Sequence, residues 1–110
     1  DDIEAFSPSI ACFLFDSVVN HRPKTAIKFL QAALKVTVDG LIGNQTLGAV
    51  KQVSHDRELA AAFLTRCFMY RTDFYHDLVI DKPSQDRFFM GWVRRLFSLQ
   101  QFIEREIYQP

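Results

Sequence analysis

Apolar residues recur at spacings of three and four along nearly the whole chain, and this rhythm limits the fold more than any other feature. Ala26, Ile27, Leu30, Ala33 and Leu34 form one stripe. Leu59, Phe63, Cys67, Phe74 and Leu78 form a second, and Phe88, Trp92, Leu96, Leu99 and Ile103 a third. Another apolar run follows Ser7-Pro8 and continues to Asn20. A helix with one apolar stripe must bury it against another helix, so the pattern predicts a single all-α domain over residues 1–110 with about five helices. Pro8, Pro23 and Pro83-Ser84 stand where helices begin, and Asn44 reads as the cap of a short helix through Leu47 and Val50. The rhythm fails between Val36 and Gly43, where Asp39-Gly40 and Gly43 punctuate the apolar residues. That stretch, near residues 36–43, reads as a short turn or mini-hairpin.

A chain of 110 residues is long enough to bury about two-thirds of its unfolded surface, and its eleven Phe promise an aromatic interior. Thirteen basic residues balance thirteen acidic ones. Non-specific polyanion binding draws on excess Lys and Arg, so nucleic acid is not the expected partner. A helix-turn-helix reading of residues 25–52 also fails, because its connection is about twice the three or four residues that the motif uses. Nothing approaches the ~18 consecutive apolar residues of a membrane span, so no membrane insertion is expected. The opening Asp1-Asp2-Ile3-Glu4 lacks an initiator Met, which suggests a piece of a longer protein.

The residues offer little catalytic chemistry. Glu4, Glu58, Glu104 and Glu106 read as solvated helix ends, without the apolar setting that makes a carboxyl a general acid. Asp73 and Asp77 read as the wet face of a helix. His21, His55 and His76 have no partner at metal-ligand spacing, and there is no Cys-x-x-Cys pair. No metal or other cofactor is expected. Cys12 and Cys67 lie in apolar runs and read as two buried thiols, with a single bridge as the alternative.

One helix face is unusual. Arg71 falls inside an apolar stripe, where a guanidinium cannot shed its charge and has to find a carboxylate, a carbonyl or a ligand. Tyr75 lies one turn on, and Trp92 and Arg95 are neighbours on the last helix.

A further reading comes from resemblance. Phe15-Asp16-Ser17-Val18-Val19-Asn20-His21, then Ala26-Ile27-Lys28-Phe29-Leu30-Gln31-Ala32-Ala33-Leu34, then Val38-Asp39-Gly40-Leu41-Ile42-Gly43 with Thr46-Leu47 form a distinctive ordered set. With Arg71, Phe74-Tyr75, Leu78, Phe88, Gly91-Trp92 and Arg95, this set resembles the peptidoglycan-binding half of the glycoside hydrolase family 108 muramidases, a group that includes phage endolysins and secretion-associated enzymes. It spans roughly residues 11–96. Those enzymes carry a catalytic Glu in a Glu-Gly-Gly element upstream of this half, and this sequence has no Glu-Gly pair. Gly43-Asn44-Gln45 stands where Gly-Pro-Lys is frequent, and Lys35-Val36 where a Gly is common.

The resemblance implies a non-catalytic module that targets an N-acetylmuramidase to the bacterial cell wall, in the periplasm, and sets its specificity. The implied partners are the glycan and stem peptide of peptidoglycan and the upstream catalytic segment of the parent chain. Arg71, Tyr75, Trp92 and Arg95 are the leading ligand-binding candidates, because an Arg fork grips carboxylates and aromatic rings cover sugars or methylenes. Asp39, Gly40, Asn20 and Gln31 complete the candidate set. Each has a structural alternative. Arg71 and Arg95 could neutralise Asp16, Trp92 could be core with Gly91 allowing a close helix approach, and Asp39-Gly40 could simply form the turn. Asn20 could end a helix, with His21 exposed beside it. The competing functions are a protein–protein adaptor and a hydrolase with weak activity through an unrecognised carboxylate.

Overall fold

The computed structural model describes residues 6–106. Five α-helices follow one another: α1 Pro8–Asn20, α2 Pro23–Leu34, α3 Asn44–Ser54, α4 Arg57–Asp81 and α5 Asp86–Glu106, with one 3-10 turn at Pro83–Gln85 before α5. There is no strand among the described residues, so the segment near 36–43 is a turn and not a hairpin. The fold is all-α, as the periodicity predicts.

Local chemistry explains the boundaries. Pro8 and Pro23 occupy the first helical turn, where a missing N–H costs nothing. Asp56 caps α4 by accepting from the Leu59 N–H at 3.0 Å. At the start of α3 the expectation needs correcting: Gly43 is the cap residue, Asn44 is already helical, and no side chain caps the helix. α2 ends with Lys35 in the left-handed region, φ 61° and ψ 38°. The Lys35 N–H donates to Ala32 O and the Val36 N–H to Gln31 O, both at 3.2 Å, the pattern of a Schellman motif. The motif favours Gly at that position, which gives the Lys35 departure a physical meaning.

α4 runs through the middle and packs against each of the other four helices. The core joins Ile10 and Phe13 of α1, Phe29, Leu30 and Ala33 of α2, Ala60, Phe63, Leu64 and Cys67 of α4, and Leu99 and Ile103 of α5. The buried stripe of α4 is shifted from the expected one: Leu59 is 51% exposed, while Ala60, Arg71 and Tyr75 are buried. Both cysteines are free thiols, Cys67 buried and Cys12 half-buried. Burial raises the thiol pKa of each above the ordinary value, and Asp16 adds to the effect at Cys12.

Candidate functional site

The eight candidate residues fall into two groups. The first is built on the C-terminal half of α1 and the facing stretches of α4 and α5, and its centre is Arg71. This side chain is 0% exposed. Its Nη1 forms an ion pair with Asp16 Oδ2 at 2.8 Å and donates to Ser17 Oγ at 3.0 Å, and its Nε donates to the Tyr75 hydroxyl at 3.0 Å. Nη2 is buried without a hydrogen-bond partner. Asn20, at the end of α1, donates to Asp16 O at 2.8 Å and lies 3.3 Å from Asp16 Oδ2. Its side chain therefore bonds back onto the last turn of α1 and braces the carboxylate, while His21 is the residue that caps the helix.

The same cluster carries a column of rings. The Tyr75 ring stacks with His21 at 5.4 Å and with Trp92 at 5.1 Å. Trp92 in turn stacks on Phe88 at 6.1 Å, and the Arg87 guanidinium lies 4.8 Å from the Phe88 ring centre. Phe29 and Phe74 meet His21 edge-on, at 5.2 and 5.3 Å. His21 is thus half-buried in an aromatic box and not exposed as the sequence suggested. Its Nε2 lies 3.1 Å from the Tyr75 hydroxyl. Because that hydroxyl accepts from Arg71, its own proton is free for a neutral His21 Nε2 to accept. Burial first, then the Arg71 charge, lower the His21 pKa to about 4, against an opposing pull from Asp16.

The column ends in accessible residues. Trp92 is half-buried and Phe88 is 42% exposed. Gly91 does not serve close helix packing: a Cβ there would meet nothing within 4 Å. Arg95 is exposed and does not pair with Asp16, although both line one hollow between α1 and α5. Of the two arginines expected to neutralise Asp16, only Arg71 does so.

The second group is the turn between α2 and α3. Gln31, 0% exposed, holds it together. Its Oε1 accepts from the Asp39 and Gly40 N–H groups at 3.1 and 2.8 Å. Its Nε2 donates toward Asp39 Oδ1 and Leu41 O, both at 2.9 Å, with Thr46 Oγ1 at 3.2 Å. Every hydrogen-bonding position on the amide is occupied. Gly40 sits at φ 78° against the Lys24 side chain, a conformation that favours Gly. Asp39 accepts from the Leu41 N–H at 2.9 Å. That bond first, then the Gln31 amide, hold its carboxyl below the usual range. Of these three residues only Asp39 is exposed.

Sequence reasoning missed Ser17, His21 and Phe88 as members of the first group. Ser17 and His21 lie far from α4 in the chain, and Phe88 reads as part of the apolar stripe of the last helix, so only their place in the resembling set singles them out. Among the described residues no three His, Cys, Asp or Glu side chains gather as a metal site. No helix is long and apolar enough to cross a membrane, among the same residues.

Comparison with known proteins adds the family. Residues 25–97 match the family described as Predicted Peptidoglycan domain. The matched span includes Gln31, Asp39, Gly40, Arg71, Tyr75, Trp92 and Arg95, and Asn20 lies just before it. No curated protein and no solved structure matches the chain. The match covers well over half of the sequence, and the chain belongs to this family of peptidoglycan-binding domains.

Proposed function

We propose that the chain is a non-catalytic module that holds an N-acetylmuramidase of the glycoside hydrolase family 108 type against the periplasmic cell wall. In this reading the wall polymer binds on the face built from α1, α4 and α5, while the glycosidic chemistry belongs to an upstream segment of the parent chain. The observation that carries it is the column His21–Tyr75–Trp92–Phe88, anchored by buried Arg71 and ending in the exposed Phe88 ring, within a chain of the peptidoglycan-binding family. Rings of this kind suit the apolar faces of sugars and short aliphatic side chains. The charged groups beside them, Asp16 and Arg95, suit the amines and carboxylates of stem peptides.

The roles divide by exposure. Arg71 and Tyr75 are buried and act as positioning residues, fixing Asp16 and seating Trp92. Trp92, Arg95 and Asn20 make the contacts. Gln31 and Gly40 shape the turn, with Asp39 at its surface. Co-sedimentation with purified sacculi tests the reading. The isolated chain is expected to pellet with the sacculi while releasing no soluble muropeptides, and Trp92→Ala should weaken pelleting at least tenfold. Turbidity loss caused by the chain alone would favour the hydrolase alternative. Sedimentation that is unaffected by Trp92→Ala and by soluble muropeptide competitors would remove this face from the account.

A further inference from the structure

The hollow between α1 and α5 has a volume of about 590 Å³. Phe15, Cys12, Leu99 and Phe102 give it apolar walls, and Asp16 and Arg95 give it two opposite charges. An Arg and a carboxylate that line one hollow can close into a forked pair, among the strongest polar contacts available. Here they stay apart. Asp16 Oδ2 is held by Arg71 and Asn20, and its side chain remains 28% exposed. Among the described residues, Asp16 Oδ1 and the Arg95 guanidinium have no ion-pair or hydrogen-bond partner.

We propose that this hollow binds a zwitterionic amino-acid head, an ammonium and a carboxylate on one carbon. The ammonium lies on Asp16 Oδ1, the carboxylate on Arg95, and the attached methylene chain runs along Phe15, Leu99 and Phe102. The inference rests on the peptidoglycan reading and specifies what is recognised: the free distal end of a diamino acid in the stem peptide. A diamino acid whose distal amine is acylated in a cross-link no longer offers this head. Charge counting supports the choice. Asp16 and Arg71 cancel, which leaves the positive Arg95, so an ammonium alone would meet net repulsion. A carboxylate alone would leave Asp16 Oδ1 without a partner. A zwitterion satisfies both groups, and the apolar wall accounts for the chain behind it.

The test is calorimetric titration of the chain with three soluble disaccharide peptides that differ only at the diamino-acid head: free, N-acetylated at the distal amine, or amidated at the distal carboxyl. The free head is expected to bind at least tenfold tighter than either blocked form. Arg95→Gln, an exposed substitution that should leave the helical circular dichroism unchanged, is expected to abolish discrimination against the amidated ligand only. Asp16→Asn should abolish discrimination against the N-acetylated ligand. Equal binding of all three peptides would overturn head recognition while leaving wall binding intact. Sensitivity to amidation alone would overturn the zwitterion in favour of a simple carboxylate site. Failure of the unaltered chain to sediment with sacculi would overturn the wall-binding reading and this inference with it.

Discussion

The turn around Gln31 and the cluster around Arg71 are both polar networks organised by one fully buried side chain, and they differ in how they end. Gln31 is neutral, and its partners lie within fifteen residues of it. Each of its donors and acceptors is matched, so the network closes on itself. Arg71 is charged, reaches Ser17 across fifty-four residues of chain, and keeps one buried nitrogen unmatched. Its carboxylate partner still touches solvent. A closed network defines a shape. An open one can define a shape and also present partly satisfied groups to a ligand, which is why the proposed binding face lies with Arg71.

Breaking each network should separate these roles. Arg71→Ala strands Asp16 and Ser17, and breaking a buried ion pair from one side costs about 3–5 kcal/mol. Because Asp16 is partly exposed, the lower end of that range is expected, read from urea denaturation. A loss under about 1 kcal/mol, the size of an ordinary surface pair, would mean that Arg71 organises nothing. Gln31→Ala leaves the Gly40 N–H and the Leu41 carbonyl unpaired and is expected to cost about 2–3 kcal/mol. It should accelerate hydrogen exchange at the Gly40 amide. Affinity for sacculi should be unchanged where the variant is folded; a drop in affinity without unfolding would make the turn a ligand contact.

Acid sharpens the comparison, because only the Arg71 cluster contains a histidine. The folded His21 stays neutral down to about pH 4, while the unfolded chain takes up the proton near 6.5. The unfolded state therefore binds more protons between these values, and stability falls as pH drops through that window. Full burial would make the loss about 3 kcal/mol, and the partial exposure of His21 reduces it to about 1–2 kcal/mol. His21→Gln should flatten the slope of urea midpoint against pH between 6.5 and 4.

The smallest effects concern two helix positions. Gly91→Ala is expected to raise stability by about 0.5–1 kcal/mol, since the added methyl meets open space. Loss of sacculus binding in that more stable variant would show that ligand passes over Gly91. Lys35→Gly should relieve the left-handed strain by about 1 kcal/mol and leave binding untouched.

The helices were legible because their signals are local. Proline at Pro8 and Pro23 and the three-four apolar spacing act within one or two turns. The α4 register departs from the expected stripe at Leu59 because Ala60, Phe63 and Leu64 satisfy the same periodicity. Arg71 stood out as an anomaly in an apolar stripe, and its need for a carboxylate was readable. The pairing was less so: Arg71 and Arg95 fit Asp16 equally well on paper, and only packing decides that Arg71 pairs with it while Arg95 does not. His21 could not be placed from sequence, because its box is assembled from α2 and α4 rings. Gly91 beside Trp92 invited a packing explanation that the open space around it removes.

Amide chemical-shift mapping of the isotope-labelled chain with a soluble disaccharide peptide discriminates between the two regions in one titration. Saturable shifts at Asp16, Asn20, His21, Trp92 and Arg95 are the expected result, with residues 36–46 unmoved. Shifts confined to residues 36–46, or no shifts at millimolar ligand, would contradict the assignment of wall binding to the α1, α4 and α5 face.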